Sequence, residues 1–137
     1  MTDERATAAI ERSKSYMYDE LTDDENSLFY KHNKTDVFIA AMGFGYFFKE
    51  SSPVKERQDL FVSTTLSRDS EKIWLMKSVA MSQCGISVLK SMNDVVKICQ
   101  EFANSGINRL YKIHKESENE VSDIVMIMED ALDSLVI

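Results

Sequence analysis

The run Thr35-Asp-Val-Phe-Ile-Ala-Ala-Met-Gly-Phe-Gly-Tyr-Phe-Phe48 is apolar on every side of a helix after its first turn. A helix without a polar face is predicted to lie in the middle of a core, with other helices packed around it. Thr35 or Asn33 can cap its N-terminus, and Asp36 lies in the first turn, where the helix dipole favours a negative charge. Because a bilayer takes about 20 apolar residues, the run predicts a core helix and no membrane association.

Composition favours a helical, acidic, globular protein. The 137 residues include four glycines and one proline, too few for the turns of a many-stranded sheet, and carry a formal net charge of −7. This length predicts a single helical domain spanning residues 1–137. Because nonspecific binding to DNA or RNA depends mainly on Lys and Arg, nucleic acid is an alternative partner and not the default one.

The two cysteines, Cys84 and Cys99, lie in sequence that is typical of helices. The N-terminus is charged and lacks the apolar segment of a secretory signal. The sequence therefore predicts a cytoplasmic location, where both thiols stay free.

Two helices are predicted before the central run. The first is expected to extend from a cap at Thr2 or Asp3 to about Glu20, with a narrow stripe of small residues that packs loosely at the periphery. The sequence Thr22-Asp-Asp-Glu25 matches a capping box and predicts a second, short helix that ends before His32.

The segment 49–67 is predicted to be irregular, because Ser51-Ser-Pro53 stops the central helix. Within it, the β-prone run Leu60–Leu66 is expected to form a short strand or an extended strap. A hairpin with residues 53–58 and pairing with another chain are both open as partners for this strand.

The next helix is predicted from a cap at Ser67 or Asp69 to about Gln83. Gly85 is expected to terminate it as the residue after the C-cap. The apolar residues Ile86–Leu89 then form a short link of about one turn.

The clearest helical pattern extends from about Met92 to Lys115, where apolar residues recur at three- and four-residue spacing. Gly106 lies within this stripe and costs about 1 kcal/mol against alanine, so close packing against a partner helix is expected to compensate. The opposite face is predicted to be solvated and contains Lys97, Glu101, Asn104, Asn108 and Lys112.

A last helix, from about Val121, has an apolar side that continues through Ala131 and Leu132 to the C-terminus. This side makes the last helix a candidate surface for homo-oligomer formation. Together these patterns predict a mainly all-α fold, a compact bundle of five to six helices with one irregular, partly β insertion around residues 49–67.

The sequence predicts no catalytic, cofactor or metal site. Neither His32 nor His114 has a second ligand at zinc-site spacing. The carboxylate clusters at 23–25, 116–120 and 129–133 fall in caps, polar turns or helix faces, and we interpret them as solvated charge. Cys84 paired with a histidine, or a pocket under the insertion, would be the basis of a small-molecule or enzymatic role.

Two small basic clusters stand out in the acidic chain. They lie near Tyr30 and Phe47, an arrangement that can bind single-stranded nucleic acid by stacking and charge, or can simply be lysines around core aromatic residues. Together with two polar positions of the long helix they form the predicted interaction surface: Lys31, His32, Lys34, Lys55, Arg57, Asn104 and Asn108.

Four segments in order resemble a small protein family found with DNA phosphorothioation (dnd) islands. They are Tyr18-Asp-Glu-Leu-Thr22, Lys34-Thr-Asp-Val-Phe-Ile-Ala-Ala-Met-Gly-Phe44, Pro53, and Ile98-Cys-Gln-Glu-Phe-Ala-Asn-Ser-Gly-Ile107. The resemblance covers roughly residues 16–112. The chain departs from the family pattern at Ala80–Gly85, before Pro53, and in the tail from Val121.

The resemblance implies a context, sulfur-modified DNA and its associated restriction, and brings no catalytic residues. The expected function is therefore a non-enzymatic accessory protein of such a defence system, with protein partners that include restriction components. A DNA-contacting regulator that uses the basic residues is the alternative. The small-molecule or enzymatic role is a third hypothesis.

Overall fold

The centre of the fold is a long helix against which most of the other elements pack. A computed structural model describes residues 5–66 and 70–135, with side chains as far as residue 130. In chain order the elements are β1 (Thr7–Glu11), α1 (Ser15–Asp23), α2 (Lys34–Phe47), β2 (Arg57–Val62), α3 (Glu71–Cys84), α4 (Met92–Glu116) and α5 (Glu120–Leu135), with short 3-10 turns at Arg12–Lys14, Ser63–Thr65 and Ile86–Lys90. The central helix is α4, which packs against α1, α2, α3, α5 and β1. The predicted mainly α-helical fold with a short β segment is confirmed.

Helices α2 and α4 cross with their backbones in direct contact. A Cβ atom on Gly106 would lie 1.7 Å from the carbonyl oxygen of Ala41, and one on Gly45 would lie 2.1 Å from that of Phe102. Neither position has room for a side chain, so the close packing predicted at Gly106 is confirmed. Gly43 differs, because a Cβ there would have nothing within 4 Å.

Helix α2 contacts α1, α3 and α4, but it is not enclosed on every side, so the prediction from its apolar sequence is wrong in this respect. Its side chains are buried on one side only, whereas Gly43 is exposed and Ile39 and Ala40 are half-buried. The predicted cap is confirmed at Asn33, whose side chain accepts the N–H of Asp36 at 2.9 Å. The longer amphipathic stripe of α4 occupies the centre instead.

The first part of the predicted first helix is a strand, and only its last part, from Ser15, is helical as α1. β1 pairs antiparallel with β2, from Thr7 opposite Val62 to Glu11 opposite Arg57. The small residues in β1 are fully buried, so the expectation of a loose peripheral helix is wrong. Small side chains let a strand approach α4 as readily as a helix would, and the stripe alone did not separate the two. The predicted caps Thr2 and Asp3 lie outside the described residues.

The sheet contains one irregularity, between Ala8 and Ala9, where the register shifts. A bulge leaves a backbone group without a partner in the ladder. Here the Ala9 N–H donates to the buried Oε1 of Gln100 on α4, at 3.1 Å. A strand in the insertion is thus confirmed, although it covers Arg57–Val62 and not Leu60–Leu66, and it pairs with β1 and not with residues 53–58.

The predicted capping box lies at the end of a helix and not at the start of one. The Thr22 hydroxyl donates to the carbonyl oxygen of Tyr18 at 3.0 Å, inside α1. After it, Asp24 has extended backbone angles and its Oδ1 accepts the N–H of Asn26 at 2.9 Å. This local bond competes with helix formation, and turns replace the predicted second helix before α2.

Helix α3 begins at Glu71 and is capped by Ser70, whose hydroxyl accepts the N–H of Ile73 at 3.2 Å. The predicted caps, Ser67 and Asp69, lie outside the described residues. Gly85, with φ of +84°, ends the helix as predicted. Within the described ranges, none of the helices combines the length and the apolar character needed to span a bilayer.

Candidate functional site

Three residues of the predicted interaction surface, Lys31, His32 and Lys34, lie together in the turn before α2 and at the first residue of that helix. Lys31 has a positive φ of 68° and is exposed. His32 Nδ1 lies 3.1 Å from Asp36 Oδ2, and Lys34 Nζ lies 2.6 Å from Asp19 Oδ1. Because these partners are carboxylates, much of the positive charge of the turn is compensated, which leaves less of it for a phosphate backbone.

Lys55 and Arg57 lie at the start of β2, where β1 holds them. The Lys55 N–H donates to Glu11 Oε1 at 2.9 Å, and Arg57 Nη2 donates to the carbonyl oxygen of Thr7 at 3.2 Å. Among the described hydrogen bonds and ion pairs, this group shares no partner with the turn that contains Lys31. The predicted basic residues therefore lie in two separate regions, one at the start of α2 and the other at the start of β2.

The two asparagines of α4 have different environments. Asn108 is exposed, as predicted, but Asn104 is only 6% exposed. Asn104 Nδ2 lies 3.2 Å from Ser52 Oγ and donates to the carbonyl oxygen of Pro53 at 3.1 Å. The placement of Asn104 on a solvated face is therefore wrong, because its amide attaches the insertion to α4.

Helix α3 exposes a second apolar face that the sequence analysis did not identify. Its buried side packs into the core through Ile73, Met76, Val79 and Ala80. Its outer side, with the turn that follows, carries four large apolar side chains that are 39–74% exposed; we name this set the α3 face: Trp74, Leu75, Met81 and Ile86. The sequence signal was available, since four consecutive apolar residues, 73–76, cannot all point to one side of a helix.

The end of α4 carries a buried histidine among three carboxylates. His114 Nε2 lies 3.0 Å from Asp24 Oδ2 and 3.3 Å from Glu20 Oε2, and Nδ1 is hydrogen-bonded to Glu120 Oε1. The imidazole is only 4% exposed and Glu120 only 11%, whereas Asp24 and Glu20 are about one-third exposed. We name these four residues the His114 cluster.

Three elements position the His114 cluster. Glu20 belongs to α1, and Asp24 directly follows that helix. His114 is in the last turn of α4, and Glu120 begins α5. The short connection between α4 and α5 brings Glu120 back over His114. The bound Nδ1 therefore faces α5, and Nε2 faces α1.

Two further groups adjust the electrostatics of the cluster. Lys115 Nζ lies 2.8 Å from Glu20 Oε2, and this carboxylate raises the pKa of Lys115. The N–H of Asn26, and then the neighbouring His114, hold the pKa of Asp24 below its usual value. Asp24 is therefore ionised at neutral pH.

Two carboxylates of this cluster, Asp24 and Glu120, were predicted to be solvated charge, and for Glu120 that prediction is wrong. No local spacing connects the cluster, because its residues come from three separate segments. One signal did exist, since His114 continues the apolar stripe of α4. A polar ring at a buried position requires polar partners from elsewhere in the fold.

Neither cysteine forms a nucleophilic pair with a histidine in the described residues. Cys99 is buried, its thiol donates to the carbonyl oxygen of Met76 at 3.3 Å, and burial raises its pKa to about 12. Cys84 is exposed and borders a shallow cavity whose lining contains no histidine. A cavity of about 320 Å³ does lie under the insertion, between Pro53 and α4.

The residues that carry the family resemblance have a packing role in this fold. Gly106 of the 98–107 segment packs against Ala41 of the 34–44 segment, and Asn104 binds the Pro53 segment. Comparison with protein-family models, curated proteins and solved structures finds no match to this chain. The resemblance to the dnd-associated family therefore stays a prediction.

Proposed function

We propose that this chain is a non-enzymatic accessory protein that acts in the cytoplasm through protein contacts made by the α3 face. The observation that carries the proposal is the exposure of Trp74, Leu75 and Met81 on α3, together with Ile86 in the turn that follows it. Contiguous exposed apolar side chains mark interaction sites, and tryptophan is enriched where interfaces bind tightly.

The partner that we propose comes from the family resemblance, and it is a component of a DNA phosphorothioation-linked restriction system. The charges near the α3 face suit an acidic or mixed surface on that partner, since Lys77 Nζ lies 5.2 Å from the centre of the Trp74 ring. Direct DNA contact is less favoured, because Lys34, Lys72 and Arg109 already pair with carboxylates.

The test is an affinity purification from the native host, with and without nuclease, followed by mass spectrometry. We compare the unmodified chain with a Trp74→Ser, Leu75→Ser variant. Leu28→Ser is the matched control, because Leu28 is 45% exposed but lies outside the α3 face. Far-UV circular dichroism of each variant checks that the fold is retained.

Three outcomes separate the hypotheses. Restriction components that survive nuclease, are lost with the double variant and are kept with Leu28→Ser would support the proposal. Components lost on nuclease treatment would favour the DNA-contacting regulator. Recovery of the chain alone, through self-association such as that predicted for α5, would remove the support for the phosphorothioation context.

A further inference from the structure

We propose that the His114 cluster binds a divalent first-row transition-metal ion through His114 Nε2, Glu20 and Asp24, with Glu120 holding the imidazole from its other side. This inference is independent of the proposed function, because it uses residues outside the α3 face. It concerns a site for which the sequence showed no ligand spacing.

The geometry of the three ligand atoms fits such an ion. One ligand atom of each residue lies within 4.8 Å of the others, and Nε2 lies 3.0 and 3.3 Å from the two carboxylate oxygens. Metal–ligand bonds of about 2.0–2.2 Å in a tetrahedron place neighbouring ligand atoms about 3.4 Å apart. The three side chains therefore need little movement to share one ion.

The hydrogen bond to Glu120 determines how the imidazole is presented. A carboxylate accepts hydrogen bonds, so the Nδ1–H donates to Glu120 Oε1. A ligand histidine typically donates its second ring N–H to a carboxylate in this way, which fixes the ring and leaves the other nitrogen for the metal. In the neutral ring, Nε2 would then direct a lone pair toward Asp24 and Glu20.

Such an arrangement of acceptors calls for a cation between them. Glu20 Oε2 is buried and accepts no hydrogen bond of good geometry from the described residues, although Lys115 Nζ is 2.8 Å away. The cluster contains three carboxylates and only one lysine, Lys115. The positive charge of the lysine therefore compensates only part of the negative charge, and a divalent ion would supply the rest. An imidazolium proton on Nε2 is the competing occupant.

The surroundings leave a route to the site and an open coordination position. A cavity of about 440 Å³ adjoins the cluster and is lined by Asp24, His114, Lys115, Glu118 and Glu120, among others. One imidazole nitrogen with two carboxylate oxygens suits Zn²⁺, Fe²⁺ or Mn²⁺ better than Cu⁺, which prefers sulfur ligands. Three protein ligands and an open position resemble an open zinc site more than a closed structural one.

The test uses the full chain without a histidine tag, in a Cys84→Ser background, because the exposed thiol of Cys84 would itself bind zinc. After treatment with EDTA and buffer exchange, isothermal titration calorimetry with ZnCl₂ measures affinity and stoichiometry. Nitrogen-15 spectra of the histidine rings report which nitrogen is perturbed. We expect one ion per chain and a change at His114 Nε2.

Three variants and one control assign the site. Asp24→Asn and His114→Gln should weaken binding by at least tenfold, and Glu120→Gln by about tenfold or more through loss of ring orientation. His32→Gln is the matched control, because His32 also contacts a carboxylate but is 57% exposed, and it should bind like the parent. Asp24 is one-third exposed, so Asp24→Asn tests the site even if His114→Gln fails to fold.

The opposite results are equally clear. The absence of saturable binding, or binding that is unchanged in Asp24→Asn and His114→Gln, would overturn the proposal. So would a protonated His114 ring whose nitrogen-15 shifts do not respond to Zn²⁺ in the parent chain. In that case the cluster is an imidazolium held by three carboxylates.

Discussion

The two junctions made by α4 have opposite chemistry. At its middle, α4 contacts α2 through glycine residues, and the space between the two backbones is too small for a side chain. At its C-terminal end, it meets α1 and α5 through His114 and three carboxylates. We name these the glycine junction and the histidine junction.

The two junctions depend on different physical properties. The glycine junction depends on shape, since backbone atoms occupy the space that any side chain would need. The histidine junction depends on charge balance among side chains of which two, Glu20 and Asp24, are about one-third exposed. We therefore expect the first to tolerate almost no substitution and the second to respond to salt and to bound cations.

The largest expected effect is at the glycine junction. Gly106→Ala places a Cβ 1.7 Å from the Ala41 carbonyl oxygen, so the helices must separate, at a cost of about 3 kcal/mol or more in the free energy of unfolding. Gly43→Ala is the control, since a Cβ there meets nothing within 4 Å and alanine should stabilise the helix by up to about 1 kcal/mol. Urea denaturation measures both, and equal losses in the two variants would contradict the glycine junction.

A polar contact between α4 and β1 should have the next largest effect. Gln100→Leu leaves the buried Ala9 N–H without its acceptor, which should lower the free energy of unfolding by about 1–3 kcal/mol. Gln83→Leu, at an exposed position of α3, should change it by less than about 0.5 kcal/mol. Amide hydrogen exchange at Ala9 should accelerate in Gln100→Leu alone, and unchanged protection there would count against the role of Gln100.

At the histidine junction we expect a smaller loss that depends on salt. In EDTA, His114→Gln removes the imidazole that lies among three carboxylates and should lower the free energy of unfolding by about 1–2 kcal/mol. This value is reduced because two of the carboxylates are partly exposed to water. Adding NaCl to about 1 M should recover part of this loss, because salt screens the repulsion between the carboxylates. Thermal and urea unfolding at both salt concentrations provide the measurement, and a salt-independent loss would show that His114 acts by packing.

The smallest expected effect is at a single, partly exposed ion pair between α2 and α3, which contrasts with the buried imidazole of the histidine junction. The Lys72 ammonium, 2.6 Å away, and then His32 hold the pKa of Asp36 below its usual 3.8. A lowered pKa stabilises the fold above pH 3.8, and the contribution is lost as the pH falls through the folded-state pKa. Asp36→Asn should thus cost up to about 1 kcal/mol at pH 7 and progressively less below pH 3.8.

Urea denaturation at pH 7 and at low pH tests this pH dependence. A Lys72→Gln background removes the main cause of the shift, so Asp36→Asn should have a weaker pH-dependent effect there. A difference in stability between the parent chain and Asp36→Asn that persists at low pH would show that the carboxylate charge is not the stabilising feature.

Patterns confined to one element were predicted well from the sequence. The apolar stripe of α4, the terminating Gly85 and the close approach at Gly106 follow from spacing within a single helix. Features that need two distant segments were not predicted. β1 resembled a helix because small residues fit either element, and only its pairing with β2 and its contact with α4 decide between them.

The same distinction applies to the candidate sites. Asn104 was placed in solvent on residue type, yet the insertion covers it. The His114 cluster combines residues 20, 24, 114 and 120, which are too far apart in the sequence to form a local motif. The basic residues lie at exposed positions. Their division between two structural elements, and the pairing of His32 and Lys34 with carboxylates, depend on the tertiary structure.

The contact between Ala9 and Gln100 also bears on how the chain is made. The two residues are 91 positions apart, and synthesis proceeds at about 5–20 residues per second. The ribosome therefore synthesises β1 roughly 5–20 seconds before it adds Gln100, whose side chain accepts the Ala9 N–H. Its sheet partner β2 is also completed well before Gln100. During that interval the nascent chain carries an extended apolar segment with an incomplete environment, which is the kind of segment that chaperones bind, and folding cannot finish until α4 has been translated.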